Sequence, residues 1–438
     1  MVSRSAGSLR DAMRQGAPPR ILHVTQPVDG GVANVVTELV RAQRATGFHV
    51  TVACPDSDLA QTLRALGADV RHWPATRAPG RSLLAEVHRL ARIVDEVRPD
   101  VLHAHSAKAG LASRLAVRGR IPTVFQPHAW SFEAVGGLTA TAALAWERWA
   151  ARWATRVVCV SEAERTRGVR AGVHATWHVI PNGVDPRRFH PATDTPPRAP
   201  ATDAPVRAHA ADTLVRAGAD APVQTEPVQT DPVRVAPPPL PALDPSAPLV
   251  VCVGRLCRQK GQDVLLHAWP SVLRHVPGAR LALVGNGPDE ERLRDCAPEG
   301  VLFAGAVTDA LSWYQAADLV VLPSRWEGMA LAPLEAMACG RPVVVTDVAG
   351  ARESLPPGHR AHCLVPPGQP EPLADVLTRL LLDPPLRESL GRQARRHVLA
   401  AHDVRHSAEA VAALYRELLG SGRPVPQESI ECRESIRS

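Results

Sequence analysis

Short runs of β-branched and other apolar residues alternate with amphipathic stretches along most of the chain. These runs are apolar at nearly every position, which is typical of strands buried on both faces of a parallel sheet. Strand and helix repeated in alternation predict βαβ units. The predicted strands are 20–25, 49–54, 69–74, 101–106, 122–128, 156–161 and 177–183 in the first half, and 248–254, 279–285, 301–307, 318–324 and 342–348 in the second.

Helical periodicity follows the strands. One helix is predicted from about Val32, directly after the first strand, and three more at 371–382, 386–399 and 405–419. The fold class is therefore α/β, with two doubly wound, Rossmann-like parallel-sheet domains that face a cleft. Ligands of such sheets bind beyond the carboxyl ends of the strands, so the cleft between the domains is the expected site.

A proline-rich segment separates the two halves. Residues 191–247 hold 13 Pro in 57 positions and a short repeat, PVQTE–PVQTD, with few large apolar residues. Such a segment cannot bury a core, and we expect a disordered linker or insertion. The predicted organisation is a basic tail at 1–19, domains at 20–190 and 248–420, and a flexible tail at 421–438, with the last helix crossing back to the first domain.

Composition narrows the classes of function. No stretch approaches the ~18 apolar residues of a membrane-spanning helix, and the N-terminus lacks the apolar core of a signal peptide. Eight Cys form neither a CxxC pair nor a Cys/His cluster of zinc spacing, which favours buried free thiols in a reducing cytoplasm. No aromatic-basic motif supports binding to nucleic acid.

The basic residues are unusual in kind and in distribution. Only two of 50 are Lys, namely Lys108 and Lys260, and a G+C-rich genome is the simplest cause. We expect Lys108 to be solvated. Residues 1–190 carry 25 basic and 15 acidic side chains, which suits either an anionic partner such as a membrane surface or a solvated Arg-rich face.

Two loops carry the residue types that bind phosphates. Gly30 and Gly31 come just before a helix, whose N-terminus offers free N–H groups to an anion. In the second half, Arg255 and Lys260 flank the end of a strand, and a guanidinium with an ammonium suits a diphosphate. A tight turn and a solvated loop are the alternatives.

The most informative stretch is SRWEGMALAPLEAMACGRPVV at 324–344. Glu327 is expected in a loop at the carboxyl end of a strand. Glu335 is expected more than two turns into a helix from Met329 to Ala338. Two carboxylates so placed can hydrogen-bond sugar hydroxyls while the helix N-terminus faces a phosphate. Two exposed carboxylates are the alternative.

This stretch resembles the E-x7-E motif of the GT-B-fold glycosyltransferases of family 4 (glycosyl transferases group 1), which are retaining enzymes. The resemblance spans roughly 20–190 and 248–420, and only the long linker departs from a typical member. It rests on motifs in the usual order: GGVANVV, HAHSAKAG, CVSEAER, VIPNGVD, VGRLCRQKG, LVGNGP, FAGAVTD, ADLVVLPSRWEGM and PLEAMACGRPVVVTD.

The resemblance implies a role for each matching residue. Arg255 and Lys260, with Gly30 and Gly31, would bind the donor diphosphate. Other positions would contact the remaining parts of the donor: Glu335 the ribose; Glu327 the transferred sugar; Gly328, Met329 and Ala330 the sugar and phosphate; Gly285, Asn286 and Gly287 the nucleoside. His128 matches the active-site His of the family and would contact the sugar and the reacting centre. His105 would lie either in the core or in the acceptor pocket.

The implied reaction needs no metal and no cofactor. Cations and helix N-termini can stabilise the charge on the departing diphosphate, and we identify no Asp-x-Asp of metal-binding type near a strand end. No carboxylate is placed as a nucleophile, so we expect same-face attack by the acceptor hydroxyl. A sugar-nucleotide epimerase, a phosphorylase and a non-catalytic sugar-nucleotide-binding protein fit the motifs less well.

The partners implied are a UDP- or GDP-sugar donor and a lipid-linked or small-molecule acceptor, an inositol phosphate among the latter. Within 138–156, Trp146, Trp149 and Trp153 recur at helical spacing beside a stripe of Arg. Such a helix either lies in a membrane interface or contributes its Trp to the core. A cytoplasmic protein, with peripheral binding at the inner face of the plasma membrane as an option, is expected.

Overall fold

The computed structural model describes residues 18–77, 80–192 and 247–420, and these form two parallel sheets. The predicted tails at 1–19 and 421–438 and the predicted linker at 191–247 lie almost entirely outside these ranges. The first sheet has the strand order β3-β2-β1-β4-β5-β6-β7. Its strands are β1 (Arg20–Thr25), β2 (His49–Cys54), β3 (Asp69–His72), β4 (Val101–His105), β5 (Thr123–Gln126), β6 (Arg156–Cys159) and β7 (Trp177–Val179).

The second sheet repeats this plan with the order β10-β9-β8-β11-β12-β13. Its strands are β8 (Leu249–Val253), β9 (Arg280–Val284), β10 (Val301–Gly305), β11 (Leu319–Leu322), β12 (Val343–Thr346) and the short β13 (Leu364–Val365). Their side chains are mostly buried on both faces, as the continuous apolar runs predict. The predicted fold class is confirmed.

Helices connect the strands. In the first half they are α1 (Gly30–Ala45), α2 (Asp58–Ala65), α3 (Leu83–Val97), α4 (Ser106–Val117), α5 (Gly137–Ala150) and α6 (Glu162–Arg170). In the second half they are α7 (Gln262–His275), α8 (Glu290–Asp295), α9 (Leu311–Ala316), α10 (Leu331–Ala338), α11 (Ala351–Ser354), α12 (Arg360–Cys363), α13 (Pro370–Leu382), α14 (Pro384–Ala401) and α15 (Val404–Gly420).

Both sheets change winding direction at the same relative place. The chain leaves β1 toward one edge of its sheet and returns to β4 on the other side of β1, and β8 and β11 do the same in the second sheet. Loops after the strands on either side of such a point diverge and leave a crevice. The crevice of the first sheet is therefore bordered by the loops after β1 and β4, and that of the second by the loops after β8 and β11.

The last helix, α15, packs on the first domain. Its Val411, Leu414 and Tyr415 are buried in one core cluster with Val36 and Val40 of α1. The chain passes between the domains twice, and the two passages meet, since Val184 and Asp403 form a parallel β-bridge. The first domain is thus completed by residues from the end of the described chain.

Local predictions differ from the structure in a few places. Helix α1 begins at Gly30, two residues before the approximate start predicted at Val32. Lys108 is buried, with 4 % of its surface exposed, because its Nζ lies 2.6 Å from the Glu86 carboxylate. Cys296 is exposed, while five other cysteines are buried as predicted.

Candidate functional site

Glu327 lies in the loop between β11 and α10, at the carboxyl end of the second sheet. Its Oε1 accepts a hydrogen bond from the Lys260 ammonium at 2.6 Å and one from the Ser324 hydroxyl at 2.8 Å. Only 8 % of Glu327 is exposed. The carboxylate and the ammonium that the sequence singled out separately thus form one ion pair beside the cleft.

The backbone that carries Lys260 is held against the Glu327 loop. Gly261 has φ +69°, and a Cβ there would come within 2.1 Å of the Pro323 carbonyl oxygen, so only glycine fits. The Arg325 guanidinium donates two hydrogen bonds of 2.7 Å to the Asp263 carboxylate. This bidentate pair ties the Glu327 loop to the start of α7.

Glu335 lies in the first turn or so of α10. The helix begins at Leu331, two residues after the predicted Met329, and Glu335 lies four residues, just over one turn, into it rather than more than two turns. The Tyr314 hydroxyl donates a hydrogen bond of 2.7 Å to Glu335 Oε2. Burial raises the pKa of Glu335, and the hydrogen bond from Tyr314 opposes that shift. Glu335 also lines a pocket between the domains, beside Asn182 and Arg188.

Three contacts bring the two domains together at the loop that follows Glu327. The Ser161 hydroxyl donates to the Gly328 carbonyl oxygen at 3.0 Å, and the Asn182 amide donates to the Met329 carbonyl oxygen at 2.7 Å. A Cβ at Gly328 would lie 3.0 Å from the His128 carbonyl carbon. Backbone of the second domain therefore lies against His128 of the first.

Two helix N-termini also meet here. A Cβ at Gly31, in the first turn of α1, would lie 3.8 Å from Leu331 Cδ1 at the start of α10. Neither helix has a side-chain cap, so the N–H groups of both first turns are left for another acceptor. The positive ends of two helix dipoles, one from each domain, converge on this part of the cleft.

The loops after β8 and β9 are bound to each other. The Leu256 amide donates to the Asn286 carbonyl oxygen at 2.8 Å, and a Cβ at Gly287 would lie 2.2 Å from the Leu256 carbonyl oxygen. A Cβ at Gly285 would lie 2.2 Å from the Gly254 carbonyl oxygen. Arg255 is half-buried between them, and within the described ranges its guanidinium has no ion pair.

His128 follows β5 and faces the cleft from the first domain. It has φ +59°, an uncommon conformation for a residue with a side chain. Its Nε2 lies 3.2 Å from Nδ1 of His105. Burial lowers the pKa of His128 to about 3, so the imidazole is neutral near pH 7. His105 is fully buried.

Sequence reasoning missed three residues of the site region: Ser161, Tyr314 and Glu353. The Glu353 carboxylate accepts hydrogen bonds from the backbone N–H groups of Glu162 and Ala163, at 2.7 and 2.8 Å, and so caps α6 of the other domain. A carboxylate that caps a helix from another domain leaves no local pattern. Ser161 stands in the CVSEAER motif, which was the one available signal.

Two family models match the chain. The model described as Glycosyltransferase Family 4 matches residues 29–188, and the one described as Glycosyl transferases group 1 matches 247–383. Together they cover most of both domains, and they leave out residues 189–246 and everything after 383.

Curated relatives match part of the chain. One is the GDP-mannose-dependent monoacylated alpha-(1-6)-phosphatidylinositol monomannoside mannosyltransferase of Corynebacterium glutamicum, 30 % identical over 52 % of this chain and 53 % of its own. Another is the D-inositol 3-phosphate glycosyltransferase of Corynebacterium jeikeium, 39 % identical over 39 % of this chain and 43 % of its own. The chain spans about half the length of the curated relatives it matches.

Solved structures show the same fold. HepE of Anabaena, in complex with UDP and glucose, aligns with TM-score 0.69 and 21 % identity over 90 % of this chain and 99 % of its own. Sucrose-phosphate synthase of Thermosynechococcus elongatus aligns with TM-score 0.71 and 22 % identity over 92 % of this chain and 99 % of its own.

Proposed function

Because the chain belongs to family 4 of the GT-B-fold glycosyltransferases, we propose that it transfers a hexose-type sugar from a nucleotide-sugar donor to an acceptor hydroxyl, with retention of configuration. The observation that supports this most directly is the contact between the two halves of the site. The loop of Glu327, paired with Lys260, lies against His128 of the other domain. A donor in the cleft would contact groups from both.

The diphosphate of the donor is proposed to lie where the cations and helix ends converge. Arg255 has no ion pair with any described residue, and Lys260 is paired with Glu327. A diphosphate would compete for the Lys260 ammonium and so free the Glu327 carboxylate for sugar hydroxyls. The first turns of α1 and α10 would add N–H donors at Gly30 and Gly31 and at the start of α10. Glu335 would bind the ribose.

The chemistry follows from where charge develops. Breaking the anomeric C–O bond leaves negative charge on the diphosphate, which Arg255, Lys260 and the two helix ends stabilise. The Glu327 carboxylate is ion-paired with Lys260 and accepts a hydrogen bond from Ser324, which makes it a poor nucleophile. We therefore propose that the acceptor hydroxyl attacks from the face that the diphosphate leaves, without a covalent intermediate, cofactor or divalent ion.

A lipid-linked acceptor is proposed from the outer surface of the first domain. Leu138, at the start of α5, is 90 % exposed, and Val135 and Trp149 are exposed with it. Arg148 and Arg152 of the same segment are exposed as well, and a segment with exposed apolar and basic side chains suits an anionic membrane surface. None of the described helices has the length and apolarity needed to cross a bilayer, and the proposal is peripheral docking at the cytoplasmic face. The name of the mannosyltransferase from C. glutamicum, a phosphatidylinositol mannoside enzyme, agrees with this choice.

A soluble acceptor is the second candidate. The relative from C. jeikeium is named as an inositol-phosphate glycosyltransferase and is 39 % identical over its matched region. Sedimentation with anionic vesicles separates the two candidates. Binding that is lost in Leu138→Asp supports the lipid acceptor, whereas failure to sediment at low salt contradicts it.

The test of the activity is a donor screen that measures nucleotide release from UDP-, GDP- and ADP-sugars, with lipid extract or inositol phosphate as acceptor. We expect release from at least one donor and a loss of ~100-fold or more in Glu327→Gln, because this residue touches the reacting sugar. The matched control is Glu291→Gln, an exposed carboxylate of the same domain. The absence of release from every donor would contradict the proposal.

A further inference from the structure

A row of hydrogen-bonded side chains leads from the core of the first domain to the cleft. Gln43 of α1 begins it, with Oε1 at 2.8 Å from Nε2 of His23. His23 Nδ1 lies 2.9 Å from Nε2 of His105, and His105 Nδ1 lies 3.2 Å from Nε2 of His128. The first three are fully buried and His128 is half-buried. Only the last member of the row can meet a ligand.

Every imidazole in the row is neutral near pH 7. Burial lowers the pKa of His23 to about 4 and that of His105 well below its usual value. A neutral imidazole has one nitrogen that donates and one that accepts. The nitrogen that carries the proton on one ring therefore determines which nitrogen carries it on the next ring.

The Gln43 carbonyl oxygen can only accept, so it sets the direction of the row. His23 must donate from Nε2 and accept at Nδ1, and His105 then donates from Nε2 to His23. His105 Nδ1 must accept, and His128 donates to it from Nε2. The remaining nitrogen, His128 Nδ1, carries a lone pair, and it has no hydrogen bond to any residue that the structure describes.

Tyr415 of α15 holds the Gln43 amide in this orientation. Its hydroxyl lies 2.6 Å from Nδ1 of His103 and can donate to it. Burial raises the pKa of Tyr415, and Gln43 beside it opposes that shift, although Gln43 Nε2 has no regular hydrogen bond to any described residue. With the Tyr415 proton donated to His103 Nδ1, a flipped Gln43 amide would turn its oxygen toward the remaining lone pairs of the Tyr415 oxygen, which is unfavourable.

We infer that Gln43, His23 and His105 are positioning residues that fix His128 as the Nε2–H tautomer, so that Nδ1 offers the cleft a neutral hydrogen-bond acceptor. Such an atom can take a hydroxyl proton of the donor sugar or acceptor, and it cannot donate to the departing diphosphate. The identity of the ligand rests on the proposed function. The tautomer of His128 rests only on the hydrogen-bonded row.

A metal ion is the competing explanation for this cluster. His23, His103 and His105 have ring nitrogens within 4.8 Å of one another. Two nitrogens bound to one tetrahedral zinc ion at ~2.0–2.1 Å stand roughly 3.3 Å apart. The distance of 2.9 Å between His23 Nδ1 and His105 Nε2 is shorter than this separation and is that of an ordinary hydrogen bond. The geometry therefore favours the hydrogen-bonded row.

The tautomer is tested by nitrogen NMR on the full chain labelled at histidine with ¹⁵N, since protonated and bare ring nitrogens resonate far apart. Comparison with His128→Asn assigns the signals of His128. We expect a proton on Nε2 and a bare Nδ1 from pH 6 to 8. Gln43→Met should give a mixture of tautomers, and the exposed Gln61→Met should change nothing. Tyr415→Phe, which removes one hydroxyl, should shift the balance part of the way and serves if Gln43→Met does not fold.

Three results would overturn the inference: a proton on Nδ1 of His128 in the wild type, an unchanged tautomer in both row variants, or one equivalent of bound zinc or nickel in the purified protein. None of these requires turnover, so they are separate from failure of the donor screen. Once a donor is known, its analogues with one hydroxyl replaced by fluorine add a kinetic test. Wild type should discriminate against one of them by about tenfold, and Gln43→Met should lose most of that discrimination.

Discussion

Burial without a full set of partners gives single side chains their unusual properties in this protein. Glu164 of α6 is fully buried, and its Oε2 accepts a hydrogen bond of 2.7 Å from the Val160 N–H, while Oε1 has no partner among the described residues. Burial raises the pKa of Glu164 to about 8, and the hydrogen bond from Val160 opposes the shift. The carboxyl is therefore neutral in the folded state at pH 6.

The raised pKa of Glu164 predicts that the free energy of unfolding depends on pH. Because the folded pKa lies above the unfolded one, the unfolded chain releases the proton first, and the free energy of unfolding falls as the pH rises from about 4.5 to about 8. Glu164→Gln removes this titration, so its stability relative to wild type should increase over that interval by more than ~1 kcal/mol. Urea unfolding at pH 5.5 and 8 measures it.

The control for this prediction is Glu291→Gln, an exposed carboxylate on α8. Its difference from wild type should be the same at both pH values. A Glu164→Gln protein whose relative stability does not change with pH would show that the buried carboxyl is already ionised at pH 5.5.

At the scale of elements, α15 acts as a part of the first domain. Leu414 is 4 % exposed and packs in the cluster formed with α1 and the first sheet. Leu414→Ala should lower the free energy of unfolding of the first domain by about 2–5 kcal/mol, because it leaves a cavity. Chemical denaturation followed by Trp fluorescence measures this loss.

Leu399→Ala on the preceding helix is the matched control, since Leu399 is 40 % exposed and its truncation opens little space. It should cost less than ~1 kcal/mol. Equal losses in the two variants would mean that α15 contributes no more to the core than an exposed helix does.

The elements were largely predictable from the sequence, and the contacts between them were not. Strand positions agree within a few residues because most strands are buried on both faces and are apolar at most positions. Only the two-residue β13 was missed. Lys108 was placed wrongly because its partner, Glu86, stands on another helix and meets it only in the folded protein. The roles of Arg255, Glu327 and the other site residues remain predictions, because they rest on sequence motifs and not on a bound ligand.

At the scale of the whole molecule, Glu353 is a polar link between the domains at the start of α6. Its carboxylate binds two N–H groups at the start of α6, where the helix dipole adds to the attraction. Glu353→Ala should favour a more open arrangement of the domains. Small-angle scattering should show a larger radius of gyration than in wild type.

Arg352→Ala is the control for domain opening, because its side chain pairs with Asp347 of its own domain. Its scattering curve should match that of wild type. If Glu353→Ala leaves the radius unchanged as well, the other contacts between the domains, those of Ser161 and Asn182 among them, are sufficient to hold them together.

The return of α15 has a consequence for synthesis on the ribosome. A chain emerges from its N-terminus, and domains commonly fold in that order. Here the first domain lacks Tyr415 and its neighbours until the end of the described chain has left the exit tunnel, whereas the second sheet is complete at Val365. The domain made first should thus finish last, and nascent chains stalled before Val404 should leave the apolar face of α1 open to chaperones.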